Sequence, residues 1–195
     1  MIIIAVLIIL IIIQAIYILG LERGGFDAMS RPAGIVRLTI LEALRIPCAV
    51  VVLDIRGMHE LNAVLGYTVS NKVIAHIIRV HDWRMQFGGD EIVIFIPYAK
   101  PGTANKIMQR ILDRCQAFTT ELPQSKRDEL SQRTDGKIDG LHVAIISVDK
   151  TNHAFTTTTK ALNELETMKE NGAKITGNRA STGNKGTLIK EYSML

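Results

Sequence analysis

Residues Trp83–Ile96 read WRMQFGGDEIVIFI, and this stretch decides much of the fold. Two extended, largely apolar runs flank Gly88 and Gly89, which predicts a β-hairpin whose glycines supply the positive φ angles of the turn. Asp90 and Glu91 follow the glycines, so two carboxylates lie at the turn. Taken alone, these four residues favour a plain exposed turn with solvated acids, because such turns are common.

A second strand is predicted upstream of the hairpin. Cys48–Ile55 is rich in β-branched residues and almost entirely apolar, as expected of a central strand buried on both faces, and Asp54 lies near its end. If this strand neighbours the hairpin, Asp54 meets Asp90 and Glu91 at one edge of the sheet. Clustered carboxylates repel one another unless a cation neutralises them, and Mg²⁺ prefers oxygen ligands and substrate phosphates. The pattern therefore indicates two-metal phosphoryl chemistry.

The remaining elements predict an α/β (α+β) fold, in which helices flank a mixed central sheet. A further buried strand is expected at Leu141–Val148, and Glu121–Gly140 is expected to be an exposed excursion. Helices are predicted from apolar periodicity and from terminating residues at Gly34–Arg45, His59–Leu65, Thr68–Val80, Pro101–Phe118 and Phe155–Glu170.

The N-terminus has a different character from the rest of the chain. Residues 2–19 form an uncharged apolar run, close to the roughly 20 residues that a helix needs to cross a bilayer. Basic residues follow the run and none precede it, which predicts a single-pass inner-membrane protein whose C-terminal domain is cytoplasmic. A cleaved signal peptide is the alternative, but the basic start and the small-residue cleavage site that it requires are missing.

Composition excludes some classes of protein. The net charge is +4, and no dense basic patch with interleaved aromatic residues is present, so nucleic-acid binding is not expected. Cys48 and Cys115 lie in apolar periodic stretches without metal-ligand spacing, which predicts two reduced, buried thiols.

Two segments together resemble the GGDEF family of cyclic-dinucleotide synthases, the diguanylate cyclases. The first is LDIRGMHELNAVLGYTVSN, residues Leu53–Asn71, and the second is RVHDWRMQFGGDEIVIFIP, residues Arg79–Pro97. Asp54, Asn62 and Gly66 fall in register with the first family motif, and the second segment keeps the two glycines and both acids. The resemblance implies a palm-like sheet.

The residue patterns and the resemblance together predict a domain organisation. Residues 1–20 would be the transmembrane anchor, 21–33 a linker, 34–174 a GGDEF-like nucleotide-binding domain and 175–195 a flexible tail.

The metal site is implied by the same resemblance. Asp54, Asp90 and the backbone carbonyl of Ile55 would bind Mg²⁺ or Mn²⁺, and Glu91 would assist metal binding or activate the 3′-hydroxyl group.

The nucleotide site is implied as well. Backbone groups would hold the triphosphate, glycines would line the nucleotide, amides would contact the base and basic side chains would contact phosphate. The residues at these positions are Gly57, Met58, His59, Asn62, Asn71, Gly88, Gly89, Lys169 and Lys174.

The family also carries an R-x-x-D motif that binds the cyclic product and inhibits the enzyme. Arg79 and Asp82 match this motif at the family's distance from the glycines. The alternative is an exposed helix end that carries a local ion pair.

The resemblance implies an enzyme that joins two nucleoside triphosphates, acting as a homodimer with one nucleotide on each protomer. GTP is favoured and ATP is an alternative, because Asn71 replaces the aspartate that reads guanine. Arg56 replaces the second acid of the first motif, and His59 replaces a phosphate-binding lysine. These departures leave two alternatives: a catalytically degenerate receptor or scaffold for a nucleotide or cyclic-di-GMP at the membrane, and a related palm that makes a linear or different cyclic oligonucleotide.

Overall fold

The structure is a computed structural model that describes residues 9, 12, 13, 28–78, 83–170 and 188–192. In the helices and in the last strand, it does not describe the side chains of residues 69, 71, 73, 74, 76, 169, 170 and 188–192.

Six helices and five strands follow residue 28 in the described part of the chain. The helices are α1 (Arg31–Ala43), α2 (Met58–Leu65), α3 (Tyr67–Ile77), α4 (Thr103–Glu121), α5 (Gln124–Arg133) and α6 (Ala154–Glu170). The strands are β1 (Cys48–Arg56), β2 (Arg84–Gln86), β3 (Glu91–Pro97), β4 (His142–Thr151) and β5 (Leu188–Tyr192).

The strands form one sheet in the order β2-β3-β1-β4-β5. Strand β1 pairs antiparallel with β3 on one side and with β4 on the other, and β5 adds to β4 in parallel. Eight of the nine residues of β1 are buried, because helices cover both faces of the sheet. The predicted mixed sheet, its flanking helices and the central position of this strand are confirmed.

Each face of the sheet has its own apolar cluster. One face packs against α2, α3, α4 and α5 through residues such as Leu61, Ile77, Ile111 and Leu130. The other face packs against α1 and α6 through residues such as Leu38 and Leu165. Side chains alternate between the two faces along each strand. Residues an odd number of positions apart therefore pack against different sets of helices, and residues two apart pack against the same set.

Helix α1 lies unusually close to the edge strand β2. A Cβ added to Gly34 would lie 2.5 Å from Cγ and 2.7 Å from Cβ of Met85, whose side chain is completely buried. Just before the helix, the Met29 N–H donates to the Arg84 carbonyl (2.9 Å) and the Met29 carbonyl accepts from the Gln86 N–H (3.1 Å). These bonds cover part of the open edge of β2 and fix where α1 begins.

Two segments differ from the prediction. The stretch expected to be an exposed excursion contains α5, which buries Leu130 completely and is therefore part of the core. Leu188–Tyr192, placed in the flexible tail from sequence, form β5 against the otherwise unpaired edge of β4. An open edge offers free N–H and C=O groups, which explains why a short segment of the C-terminal tail can form a strand there.

The predicted membrane anchor lies almost entirely outside the described residues, which include only Ile9, Ile12 and Ile13 of that run. Among the residues that the structure describes, none belongs to a helix long and apolar enough to span a bilayer.

Both thiols are buried and unpaired, as predicted. Burial raises the pKa of Cys48 to about 11 and that of Cys115 to about 12, so both remain protonated at neutral pH.

Candidate functional site

The three acidic residues meet at one edge of the sheet, at the end of β1. Asp54 is the direct cross-strand partner of Glu91 in the antiparallel pair of β1 and β3. The Ile55 N–H donates to the carbonyl of Asp90 over 3.2 Å, so Asp90 lies beside the residue that follows Asp54. The Asp54 side chain is only 1% exposed, whereas Asp90 and Glu91 are half-buried. The convergence expected from the sequence is therefore present in the fold.

The turn between β2 and β3 differs from the expected one. Neither Gly88 nor Gly89 has a positive φ angle, so the prediction that they supply such angles is wrong. The Phe87 and Gly88 N–H groups both point to the Glu91 carbonyl, at 2.9 and 3.4 Å. A Cβ on Gly88 would lie 2.6 Å from Oε2 of Glu91. Gly88 is required for a different reason: it leaves room for the Glu91 carboxylate.

Because only Gly88 lies against the Glu91 side chain, substitutions of the two glycines should have different effects. We expect Gly88→Ala to displace the Glu91 carboxylate and to lower any Glu91-dependent turnover by about tenfold or more, a typical loss for a misplaced catalytic group. The free energy of unfolding should change by less than about 1 kcal/mol, because the displaced atom ends a flexible side chain. Gly89→Ala is the matched control, since nothing lies within 4 Å of its added Cβ. Steady-state kinetics and urea unfolding of both variants test this, and equal kcat losses would contradict it.

A second turn follows β1 directly and begins α2. Gly57 has φ 66° and ψ 33°, in the left-handed region that favours glycine, and its carbonyl accepts from the Leu61 N–H at 2.8 Å. A Cβ on Gly57 would lie 2.5 Å from Cδ1 of Ile138. The turn therefore brings the N-terminus of α2, at Met58, next to the acidic edge. Free backbone N–H groups and the helix dipole make such an end favourable for anions.

Three polar residues were predicted to contact the nucleotide from α2 and α3. Asn62 is half-buried on α2, and its Oδ1 atom is buried without a hydrogen-bond partner among the described residues. An unsatisfied buried acceptor is costly, so this atom is suited to a donor supplied by a ligand. His59 is exposed on the first turn of α2. Asn71 lies on α3, but its side chain is outside the described part of the structure.

His142, the first residue of β4, pairs with Arg56 of β1 in the sheet, and its buried ring contacts the half-exposed carboxylate of Asp139. His142 is 1% exposed, and its Nε2 atom lies 3.0 Å from Oδ1 of Asp139. Burial lowers the pKa of His142, and the nearby Arg56 lowers it further, although Asp139 acts in the opposite direction. The pKa of Asp139 is also lowered: burial opposes this shift, but the hydrogen bond and charge of His142 and the charge of Arg127 outweigh it. His142 is therefore neutral at physiological pH.

The lowered pKa of His142 predicts acid sensitivity. The unfolded chain, with a histidine pKa near 6.5, takes up this proton before the folded chain does. Stability is therefore fully present above pH 6.5 and is progressively lost below it. The lowered pKa of Asp139 acts in the same direction but only near pH 4 and below. Urea unfolding at pH 7.5 and 5.5 measures the loss, which His142→Gln should reduce; an unchanged loss would contradict the assignment.

Several predicted residues cannot be placed in the site. Arg79, Asp82 and Lys174 lie outside the described residues, so neither the inhibitory motif nor the last lysine has a position. Lys169 lies on α6, but its side chain is not described. The site that the structure does bring together consists of Asp54, Ile55, Gly57, Met58, Asn62, Gly88, Asp90 and Glu91.

The residues predicted to bind metal have the donor chemistry of a magnesium or manganese site. Asp54, Asp90 and the Ile55 carbonyl present only oxygen donors, the type that Mg²⁺ and Mn²⁺ prefer. In the described part of the chain, no group of three or more Asp, Glu, His or Cys side chains is arranged to hold a metal ion. The donor set fits a magnesium ion that keeps water and phosphate oxygens as its other ligands.

Sequence reasoning missed two residues that shape this site. Ile138 packs on the Gly57 turn, and Arg31 stacks over the ring of Phe87 beside the glycines, with its guanidinium carbon 4.0 Å from the ring centroid. Ile138 lies in the stretch expected to be an exposed excursion, where no periodic pattern marks it. Arg31 lies 56 residues before Phe87, so no local pattern in the sequence marks their contact.

The sheet order, the flanking helices and the acidic hairpin define a palm-like α+β domain. Comparison with solved structures identifies its fold as that of GGDEF domains. No protein-family model matches the sequence, and no curated protein matches it.

Three solved structures illustrate the similarity. The GGDEF domain of DgcB from Caulobacter crescentus, in complex with c-di-GMP, is 13% identical over 88% of this chain and 95% of its own, with a TM-score of 0.51. The FimX GGDEF domain from Pseudomonas aeruginosa is 12% identical over 88% and 98%, with a TM-score of 0.55. A diguanylate cyclase/phosphodiesterase from Caldicellulosiruptor saccharolyticus is 16% identical over 89% and 94%, with a TM-score of 0.53. At these identities the similarity establishes the fold alone.

Proposed function

We propose that this chain is a GGDEF-like nucleotidyl cyclase that joins two nucleoside triphosphates into a cyclic dinucleotide and releases pyrophosphate. The observation that carries the proposal is the pairing of Asp54 with Glu91, with Asp90 bonded to Ile55, directly beside the N-terminus of α2. Oxygen ligands for a divalent cation and an anion-binding helix end thus lie at the same edge of the sheet, which is the combination that a nucleoside triphosphate requires.

The carboxylates of Asp54 and Asp90 and the carbonyl of Ile55 would hold Mg²⁺ or Mn²⁺. Such ions neutralise developing charge on the phosphates and lower the pKa of a bound hydroxyl group. Glu91 lies across from Asp54, and we assign it the acceptance of the proton from the attacking 3′-hydroxyl group.

The chain's other groups bind and orient the nucleotide. Backbone N–H groups at Gly57 and Met58 receive the triphosphate, supported by the helix dipole. The Oδ1 atom of Asn62, which has no partner among the described residues, accepts a hydrogen bond from the base. Guanine carries two donors on its Watson–Crick edge, so GTP is the favoured substrate, and ATP is the alternative.

Catalysis by this site needs two nucleotides brought together, so we propose a homodimer in which each protomer presents one. We further propose that residues 2–19 anchor the chain in the inner membrane, with the domain on the cytoplasmic side, because an apolar run followed by basic residues favours that orientation. Confinement to a bilayer raises the effective concentration of protomers and favours the dimer.

Full-length protein reconstituted in lipid nanodiscs, with Mg²⁺ or Mn²⁺ and with GTP, ATP or both, tests the proposal. Products are identified by mass spectrometry, which separates a cyclic dinucleotide from a linear or larger cyclic oligonucleotide. A cyclic dinucleotide is the expected result, and its bases identify the preferred substrate. A linear product would instead identify a related palm polymerase.

One observation favours a second function, that of a catalytically degenerate receptor. Arg56 stands where the family's second acid is expected, and the described residues contain no metal-binding group of three side chains. A receptor would bind a nucleotide or cyclic-di-GMP without turnover. The absence of product together with measurable binding by calorimetry would establish the receptor and overturn the cyclase.

A further inference from the structure

A row of side chains crosses the sheet at its acidic edge, on the face that α1 covers. Asp54 pairs with Glu91, and the Phe87 N–H bond to the Glu91 carbonyl extends the pairing to β2. Val93 and Met85, two residues from Glu91 and Phe87 on their strands, belong to the apolar cluster under α1. Because strand residues two apart share a face, Glu91 and Phe87 lie on that face also. The row therefore runs Phe87, Glu91, Asp54.

Arg31 lies against Phe87, at the β2 end of this row. Its guanidinium carbon lies 4.0 Å from the centroid of the Phe87 ring, and the residue is exposed at the first position of α1. Met29, two residues earlier, is bonded to β2 through both its N–H and its carbonyl, so the backbone that carries Arg31 is fixed. Among the described residues, no ion pair involves Arg31.

We propose that Arg31 binds the phosphate chain of the nucleoside triphosphate at the Gly88 turn. This inference rests on the proposed function and adds a binding residue to the same site. The ring attracts the charge of the guanidinium and takes up no hydrogen bond in its plane, so the N–H donors of Arg31 remain suited to bind two phosphate oxygens. Stacking on Phe87 also orders the side chain before the ligand arrives, which reduces the entropy lost on binding.

Charge balance supports the assignment. Asp54, Asp90 and Glu91 place three carboxylates where a polyphosphate must approach, and these like charges repel it. Gln86 is neutral, so the strand before the glycines contributes no cation at that position. Arg31 supplies a permanent positive charge one strand away from Glu91.

Helix α1 also supplies a matched control. Arg37 stacks on Trp83, with its guanidinium carbon 5.2 Å from the ring centroid. It shares the helix and the type of contact with Arg31 but lies six residues further on, about 9 Å along the helix axis. Arg37→Ala thus removes an equivalent cation–π contact away from the Gly88 turn.

The experiment compares full-length parent, Arg31→Ala, Arg31→Lys and Arg37→Ala in nanodiscs. Calorimetry measures the Kd for GTP and for GMP, with Ca²⁺ as the only divalent cation in order to slow turnover. We expect Arg31→Ala to weaken GTP binding by about tenfold or more, as is typical when a charge-assisted hydrogen bond is lost, and GMP binding by less than about threefold. Arg31→Lys should recover part of the loss, and Arg37→Ala should match the parent.

The ratio of the two Kd values from one sample does not depend on the fraction of protein that is folded. A partly unfolded variant therefore still gives a result. An unchanged ratio in Arg31→Ala, or an equal change in Arg37→Ala, overturns the role of Arg31 while leaving the proposed function intact. A parent protein that binds neither triphosphate nor cyclic dinucleotide overturns both.

Discussion

Asp90→Ala is expected to abolish cyclic-dinucleotide formation while the domain remains folded. Asp90 lies half-buried in the turn before β3, and its structural contact is made by its backbone carbonyl, which accepts from Ile55 and survives the substitution. Only the carboxylate is lost. If this carboxylate ligates the catalytic cation, kcat should fall by roughly 10²–10³-fold or more. Losses of this size are seen when a group that stabilises charge in the transition state is removed.

Mass-spectrometric quantification of product, alongside urea unfolding followed by circular dichroism, measures this effect. Asp128→Ala is the control, because it removes an exposed carboxylate on α5 whose hydrogen bond among the described residues comes from Gln124, one turn earlier. Parent-like turnover in Asp90→Ala would remove the metal-site assignment. Comparable losses in both variants would indicate a general effect of lost charge.

Gly34→Ala is expected to destabilise the domain, although the same change stabilises most helices. In an exposed helix interior this change would stabilise by about 1 kcal/mol. Here the new Cβ would lie 2.7 Å from the Cβ of Met85, an atom that cannot move without moving β2. Overpacking of this kind costs about 1–3 kcal/mol, so we expect the free energy of unfolding to fall by about 2–3 kcal/mol.

The double variant Gly34→Ala/Met85→Ala tests the cause. Met85→Ala alone creates a cavity, since the side chain is completely buried, and should cost about 2–5 kcal/mol. If the overlap is responsible, the double variant is less destabilised than the sum of the single variants by at least about 1 kcal/mol. Additive losses would show that Gly34 is required for another reason, such as the course of the backbone.

An element of the fold was predictable where the spacing of its apolar residues and the length of the segment indicated the same type of secondary structure. Cys48–Ile55 was recognised as a central strand because its apolar run is too short and too β-branched for a helix, and its burial is complete in the structure. Helix α5 was missed because it buries only Leu130, so its apolar period is nearly absent. Its remaining signals were a preceding Pro123 and polar pairs four residues apart, such as Gln124 with Asp128.

The site was predictable as a set of residues but not as a set of contacts. The positions of Asp54, Asp90 and Glu91 at strand ends predict that they lie close together. The register of β1 and β3 places Asp54 directly opposite Glu91, next to Asp90. The reason for Gly88 was wrong, because a close approach by the Glu91 side chain cannot be inferred from local turn statistics. Arg31 was missed since its partner Phe87 is 56 residues away along the chain, beyond any local pattern.

The stacking around Trp83 has a spectroscopic consequence. Trp83 is the single tryptophan of the chain, is 43% exposed, meets Phe95 of β3 edge-on at 5.9 Å and lies under Arg37 of α1. Every intrinsic indole emission signal therefore originates where helix α1 meets the sheet. A red shift of that emission will therefore report the loss of packing between α1 and the sheet, without any added label.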